Sequence, residues 1–261
     1  MYCPAIMAES TATDGLEISF AIPCHNEAKS LPELVRQIEA QMVALNRRYE
    51  IVIVDDGSSD GSWETLKALA APRSHLRALR LDRNAGQSAA LYTAIQATRG
   101  AFVVTMDADL QNDPADVPKL LAALTDADCV CGTRKAARAR GDTWLKKSIS
   151  TVANAVRRKV LGDASSDVGC TFRAFRREAF AGLPFFKGMH RFIPILMAFN
   201  GARVIEVPVN HRARSHGQTH YGLGLFARRA AVIDMIAVRW LKSRLVPFAV
   251  SERLGDDPPR T

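Results

Sequence analysis

Along the first half of the chain, short β-branched runs alternate with stretches whose apolar residues return every third or fourth position. Glu17–Pro23 reads as a first strand, and Leu31, Leu34, Val35, Ile38, Met42 and Leu45 then mark one face of an amphipathic helix. Ser30-Leu31-Pro32-Glu33 at its head has the form of a capping box with proline in the first turn. Glu50–Val54 reads as a strand whose β-branched run, Ile51–Val54, is expected of burial on both faces. A helix to about Ala70, a strand at Leu76–Leu81 and a helix from about Gly86 to Thr98 follow. Next come a strand at Ala101–Met106, a helix opened by Asp113-Pro114 and ending at Leu124, and a strand at Asp128–Cys131. This alternation predicts an α/β fold with a doubly wound, mostly parallel sheet. Ligands of such sheets sit at the carboxyl ends of the strands.

The second half is less regular. Asp142–Val160 reads as a basic helix, Asp163–Gly169 as a loop, and Cys170–Phe175 and Arg203–Val209 as strands. Over Phe226–Leu241, Phe226, Ala230, Ile233, Ala237 and Leu241 form one apolar stripe, with Arg228, Arg239 and Lys242 opposite. Such a helix either packs on the core or lies in a membrane interface. One folded domain is expected over residues 16–222 and an amphipathic helical segment over 223–250. Residues 1–15 and 251–261 are expected to be disordered tails.

Composition narrows the field. At 261 residues, 48% apolar and 24% charged, the chain is ordinary for a soluble globular protein, which excludes wholesale disorder and collagen-like repeats. No window of 18 uninterrupted apolar residues occurs, so no transmembrane helix is expected. No basic, apolar leader opens the chain, so a signal peptide is not expected either. Cys3, Cys24, Cys129, Cys131 and Cys170 lack CxxC spacing and read as free thiols of a reducing compartment. The net charge of +8 hides an asymmetry: residues 1–130 carry 11 Lys/Arg against 18 Asp/Glu, and residues 131–261 carry 24 against 9.

The acidic half concentrates its chemistry at strand ends. Asp107-Ala108-Asp109-Leu110-Gln111 follows strand four. Two carboxylates so close repel, so a divalent cation such as Mg²⁺ or Mn²⁺ is their natural partner, with Gln111 a candidate neutral oxygen. The plain alternative is a solvated loop with helix-capping aspartates. Asp55-Asp56-Gly57-Ser58-Ser59-Asp60-Gly61 follows strand two. Ser59 or Asp60 there suits a helix cap, and Asp55 and Asp56 suit hydrogen bonds to a nucleobase or ribose. Pro23-Cys24-His25-Asn26-Glu27 puts a further carboxylate at the same edge. Asn84-Ala85-Gly86-Gln87 opens a helix whose backbone N–H groups favour an anion. Neither a dinucleotide fingerprint nor a P-loop occurs.

Taken together, Ile22–Glu27, Val54–Gly61, Asn84–Gln87 and Asp107–Gln111 resemble the family-2 glycosyltransferases of GT-A fold. Gly132-Thr133-Arg134, Asp167–Cys170, Met189–Pro194 and His211–Gly222 extend the likeness to the dolichol- and polyprenyl-phosphate sugar transferases, over about Leu16–Arg244. The resemblance implies inverting transfer of a sugar, mannose or glucose by type, from a nucleotide-sugar donor to a polyprenyl phosphate. Donor contacts would come from Pro23, His25, Glu27, Asp55, Asp56, Asn84, Gly86, Gln87, Asp107 and Ala108. Asp107, Asp109 and Gln111 would hold the metal, and Arg134, Lys146 and Lys147 the acceptor phosphate. Asp109, Arg134 and Asp167 would be catalytic, although Asp167 reads equally well as a loop aspartate beside Gly169. His25 stands where the family usually has tyrosine, and His220 where lysine is common.

The basic cluster Arg134, Lys135, Arg138, Arg140, Lys146 and Lys147 then suits a lipid phosphate and an anionic membrane surface, on its cytoplasmic face. A nucleic-acid role fits less well, because few aromatics interleave the charges and no nucleic-acid motif occurs. A polysaccharide or glycolipid acceptor remains an alternative for the same donor chemistry. An inactive scaffold is disfavoured by the intact Asp107 and Asp109. A homo-oligomer is compatible with the sequence.

Overall fold

In the computed structural model, which describes residues 15–134, 161, 167, 169–212 and 225–244 (for 225–231 the backbone only), the apolar runs assemble into one seven-stranded sheet. The strands are β1 (Ile18–Cys24), β2 (Tyr49–Asp55), β3 (Leu76–Arg80), β4 (Phe102–Thr105), β5 (Cys129–Thr133), β6 (Arg173–Arg176) and β7 (Val204–Pro208). Their order is β3-β2-β1-β4-β6-β5-β7. Only β6 runs against the rest, pairing antiparallel with both β4 and β5. The chain therefore winds outward from β1 through β2 to β3, then returns to lay β4 on the other side of β1. That reversal makes β1/β4 the switch point, where a crevice opens at the carboxyl ends of the strands.

The helices are α1 (Leu31–Leu45), α2 (Ser62–Ala70), α3 (Gln87–Gln96), α4 (Val117–Ala123), α5 (Ile193–Phe199) and α6 (Leu225–Arg244). Alternate strand residues feed two apolar layers. Ile18, Phe20, Ile22, Ile51 and Ile53 pack with Leu31, Leu34, Val35 and Ile38 of α1. Ala21, Val52, Val54 and Val103 face Ala90, Leu91, Ala94 and Ile95 of α3 and the apolar residues of α5. Burying each large aliphatic side chain contributes about 1.5–3 kcal/mol. Cys24, Cys129, Cys131 and Cys170 form no disulfide and are buried in these layers.

Local details differ from the sequence reading. Ser30 precedes α1, but its side chain makes no cap bond to the helix. Its Oγ donates instead to Glu27 at 2.9 Å, and Glu33 is taken by Arg36 and Gln37. Gly61, with φ +90°, occupies the cap position of α2, while Asp60 from one residue earlier accepts the Ser62 N–H at 3.0 Å. Asp113 accepts from Ala115 N–H and starts a 3-10 turn, Pro114–Asp116, that leads into α4.

The largest difference is in α6. Val238 is buried and Met235 and Leu241 pack against the core, whereas Ile233 and Ala237 of the expected stripe face outward. The helix is apolar on two faces; the core covers one and leaves Val232, Ile233, Ile236 and Trp240 exposed at 50%, 65%, 59% and 59%. Among the described residues no helix is long and apolar enough to cross a membrane. The basic helix expected at Asp142–Val160, with Lys146 and Lys147, lies outside the described residues. So do Lys135, Arg138, Arg140, His220 and, apart from Gly15, both expected tails.

Candidate active site

The loops after β1, β2 and β4 and the start of α3 enclose a cavity of about 270 Å³. Pro23 and Cys24 line it from the end of β1, His25 and Glu27 from the first loop, Asp56 from the second, and Asn84, Gly86, Gln87 and Ala90 from the α3 side. Asp107, Ala108 and Asp109 form the remaining wall. Every donor-side residue expected from the sequence except Asp55 is brought to this cavity.

The first two loops are stitched together. Asn26 takes a left-handed backbone (φ 57°), which asparagine tolerates better than most residues. From there its N–H donates to Ser58 Oγ, and its Oδ1 accepts the Ser59 N–H, both at 2.9 Å. His25 Nδ1 lies 2.9 Å from the Asp56 carbonyl, which can only accept, so the ring proton sits on Nδ1. Nε2 is then the acceptor for the Asn84 side-chain amide at 3.1 Å. Gly57 makes the approach possible: at φ +65° a Cβ would lie 2.7 Å from backbone atoms of Arg83 and Asn84.

The two aspartates that follow β2 separate. Asp55 is fully buried behind the wall, accepts the Ser58 N–H at 3.1 Å and has Arg80 Nε 3.1 Å from Oδ2 as its ion-pair partner. Asp56 reaches the cavity, but its carboxylate is already engaged by the N–H groups of Ala85 (2.7 Å) and Gly86 (2.9 Å). The anion expected at the head of α3 is thus the protein's own. Burial, then the nearby Asp55 charge, pushes the Cys24 thiol up to about 12, so it is no nucleophile.

The β4 end is built differently. Leu110 has φ 65°, a strained backbone for a bulky residue, which turns the chain sharply after Asp109. Asp109 accepts the Gln111 N–H at 3.1 Å. Asp107 accepts from Gln87 Nε2 at 2.9 Å and from the Thr171 hydroxyl. Crowding raises the Asp107 pKa through burial first and also through the Asp109 charge, and Arg134 and Arg173 lie close enough to oppose the rise. Gln111 does not line the cavity: its side-chain Nε2 lies 3.5 Å from His211 Nε2, and its backbone carbonyl accepts the Arg212 N–H at 3.0 Å.

Arg134 and Asp167 come together as a pair. Arg134 Nε and one terminal nitrogen donate to the two Asp167 oxygens at 2.8 and 2.9 Å. Asp167 is buried, and its own N–H points to Glu206. Elsewhere in the core, His190 is buried with Nδ1 2.7 Å from Ser88 Oγ, which itself accepts the Gly188 N–H. Burial first, then Arg191 and Arg173, pushes its pKa down to about 3, so it is neutral.

Thr171, His211 and Arg80 were absent from the sequence-derived site. Thr171 and Arg80 carry no motif of their own; His211 lay at the edge of the His211–Gly222 run.

The donor set at Asp107 and Asp109 suits a hard divalent cation: two carboxylates on one cavity wall, whose mutual repulsion a cation relieves. No group of three or more His, Cys, Asp or Glu able to hold a metal occurs among the described residues. Two carboxylates alone do not fill the shell of such an ion, so substrate phosphate and water would have to complete it.

The sequence profile of glycosyl transferase family 2 matches residues 19–183. Over 212 residues the chain is 39% identical to an undecaprenyl-phosphate 4-deoxy-4-formamido-L-arabinose transferase of Aeromonas hydrophila, covering 81% of this chain and 64% of the relative. Over 208 residues it is 40% identical to the transferase of the same name from Sodalis glossinidius, covering 79% and 63%. The chain thus spans just under two thirds of the length of these curated relatives. Glucosyl-3-phosphoglycerate synthase from Mycobacterium tuberculosis, solved with Mn²⁺, UDP-glucose and phosphoglyceric acid, superposes with a TM-score of 0.63 at 22% identity, covering 91% of this chain and 82% of that one. A mannosyltransferase from Pyrobaculum calidifontis, solved with GDP-mannose and Mn²⁺, gives 0.59 at 21% identity, covering 95% and 67%. The shared architecture is the GT-A fold.

Proposed function

Since the chain belongs to glycosyl transferase family 2, we propose that it moves a sugar from a nucleotide-sugar donor to a polyprenyl phosphate. One observation carries the reading. The nucleotide-suited wall (His25, Glu27, Asp56, Asn84) and the paired carboxylates Asp107 and Asp109 face one cavity, and Arg134 lies within electrostatic reach of Asp107.

An ionised oxygen of the acceptor phosphate attacks the anomeric carbon. The bond from that carbon to the diphosphate breaks, and the nucleoside diphosphate leaves with the electron pair. A single in-line displacement inverts the anomeric centre and needs no strong general base, because a phosphate monoester is already largely ionised near pH 7. The protein's work is positioning and charge neutralisation. Asp107 and Asp109 would hold a divalent cation, which when bound supplies Lewis-acid neutralisation of the leaving diphosphate. Asp56 and Asn84 orient the nucleoside. Arg134, held by Asp167, presents positive charge toward the acceptor phosphate.

Mannose and glucose donors are the types implied by the resemblance, and the relatives' names add 4-deoxy-4-formamido-L-arabinose. For the lipid side, the exposed Ile233, Ile236 and Trp240 of α6, flanked by Arg239 and Arg244, suit an anionic membrane surface on its cytoplasmic face.

The test is radiolabelled transfer from a panel of GDP-, UDP- and other nucleotide-linked sugars to a short polyprenyl phosphate. Lipid-extractable label from one donor, absent with the unphosphorylated polyprenol, is expected. Label passing only to a saccharide or glycolipid overturns the lipid-phosphate reading in favour of the alternative acceptor.

A further inference from the structure

The carboxylate of Asp107 is gripped from two sides by residues of two different segments. Gln87 Nε2 donates to Oδ1 at 2.9 Å, and the Thr171 hydroxyl donates to Oδ2. Neither donor hangs freely. Gln87 is the first residue of α3, and the N–H before it, on Gly86, is bound by Asp56 at 2.9 Å. The Thr171 carbonyl accepts the Thr105 hydroxyl at 2.6 Å, which ties it to β4, the strand leading to Asp107. Each carboxylate oxygen therefore receives one fixed hydrogen bond and keeps a lone pair for another partner.

We infer that Gln87 and Thr171 are positioning residues that set the Asp107 carboxylate for the divalent cation, an inference that rests on the metal reading proposed above. The physical need is plain. Asp107 and Asp109 repel each other, and a carboxylate on a free rotor swings away from a like charge. Two neutral donors stabilise the ionised form and stop that rotation without supplying a competing cation. Partners of this kind behind a metal-binding carboxylate typically change metal affinity by 10–100-fold. Gln87 has a second consequence. It joins the Asp56 side of the cavity, where the nucleoside is proposed to sit, to the carboxylate that meets the diphosphate end.

The experiment is a Mn²⁺ titration followed by electron paramagnetic resonance, with the purified chain and saturating nucleoside diphosphate. It compares wild type, Gln87→Met, Thr171→Val, Thr171→Ser and Asp109→Ala. Gln87→Met keeps the length of the side chain but removes the N–H; Thr171→Val keeps the shape but removes the O–H. Each is expected to raise the Mn²⁺ Kd about tenfold, with Thr171→Ser close to wild type. Wild-type Kd in both Gln87→Met and Thr171→Val overturns the positioning inference while leaving the metal site standing. Should Thr171→Val fail to fold, Gln87→Met, at a partly exposed helix start, decides alone. Failure of wild type to bind Mn²⁺, or binding unchanged in Asp109→Ala, overturns the metal reading and this inference with it.

Discussion

Asp167 holds Arg134 at three points: the side-chain Nε at 2.8 Å, a terminal nitrogen at 2.9 Å and the backbone N–H at 3.1 Å. Their side chains are 13% and 3% exposed. Burial works to lower the Arg134 pKa, and the Asp167 carboxylate more than reverses it. With both oxygens committed to the guanidinium, Asp167 acts as the counter-ion that aims Arg134. Removing one partner strands the other charge, at a cost of about 3–5 kcal/mol. Arg134→Met and Asp167→Leu should each lower the urea midpoint strongly, and the double variant should lower it by much less than their sum. Additive losses would contradict the pairing.

His190 supplies a pH prediction. Its folded pKa, about 3, lies below the ordinary value of 6.5. The unfolded chain therefore takes up a proton that the folded chain refuses, and the stabilisation present above pH 6.5 is lost as pH falls toward 3. Between pH 7 and pH 5 this one group should remove about 2 kcal/mol. His190→Gln should flatten that part of the stability curve, measured by denaturant unfolding at each pH. Equal slopes in the two proteins would show that the folded chain lets His190 take up its proton as readily as the unfolded one.

The two apolar faces of α6 can be told apart by substitution. Ile236→Glu together with Trp240→Ala should abolish flotation with anionic liposomes at low salt and leave the melting temperature unchanged. Val238→Glu, on the core side, should unfold the protein or lower its melting temperature sharply. A wild-type chain that stays in the soluble fraction would remove the membrane from the account.

The strands expected from the sequence meet the seven of the described residues to within a few positions, most sharply at β1, β2 and β4, where burial on both faces demands a continuous apolar run. The apolar pattern placed the loops after β1, β2 and β4 at one edge for the same reason. What was not legible depends on side-chain direction after the chain leaves the strand. Asp55 and Asp56 are adjacent, yet one turns inward to Arg80 and the other outward to the cavity. Gln111 lies beyond the strained Leu110 and is directed to His211 instead of the cavity. Ser30 matched a capping box, but a buried Glu27 carboxylate nearby took its hydroxyl. The apolar stripe of α6 was visible, but two apolar faces on one helix leave the choice of the core-facing one to tertiary packing. Thr171, 64 residues beyond Asp107 in the chain, meets it only because β6 inserts antiparallel beside β4.

The Asp107–Asp109 edge is proposed to drive sugar transfer through a divalent cation that it would hold. The most direct test of this is the radiolabel assay on Asp109→Ala, run beside a melting curve. The account predicts an unchanged melting temperature and no detectable transfer from the donor that wild type uses. Full transfer by Asp109→Ala, with a divalent cation still required, would contradict it.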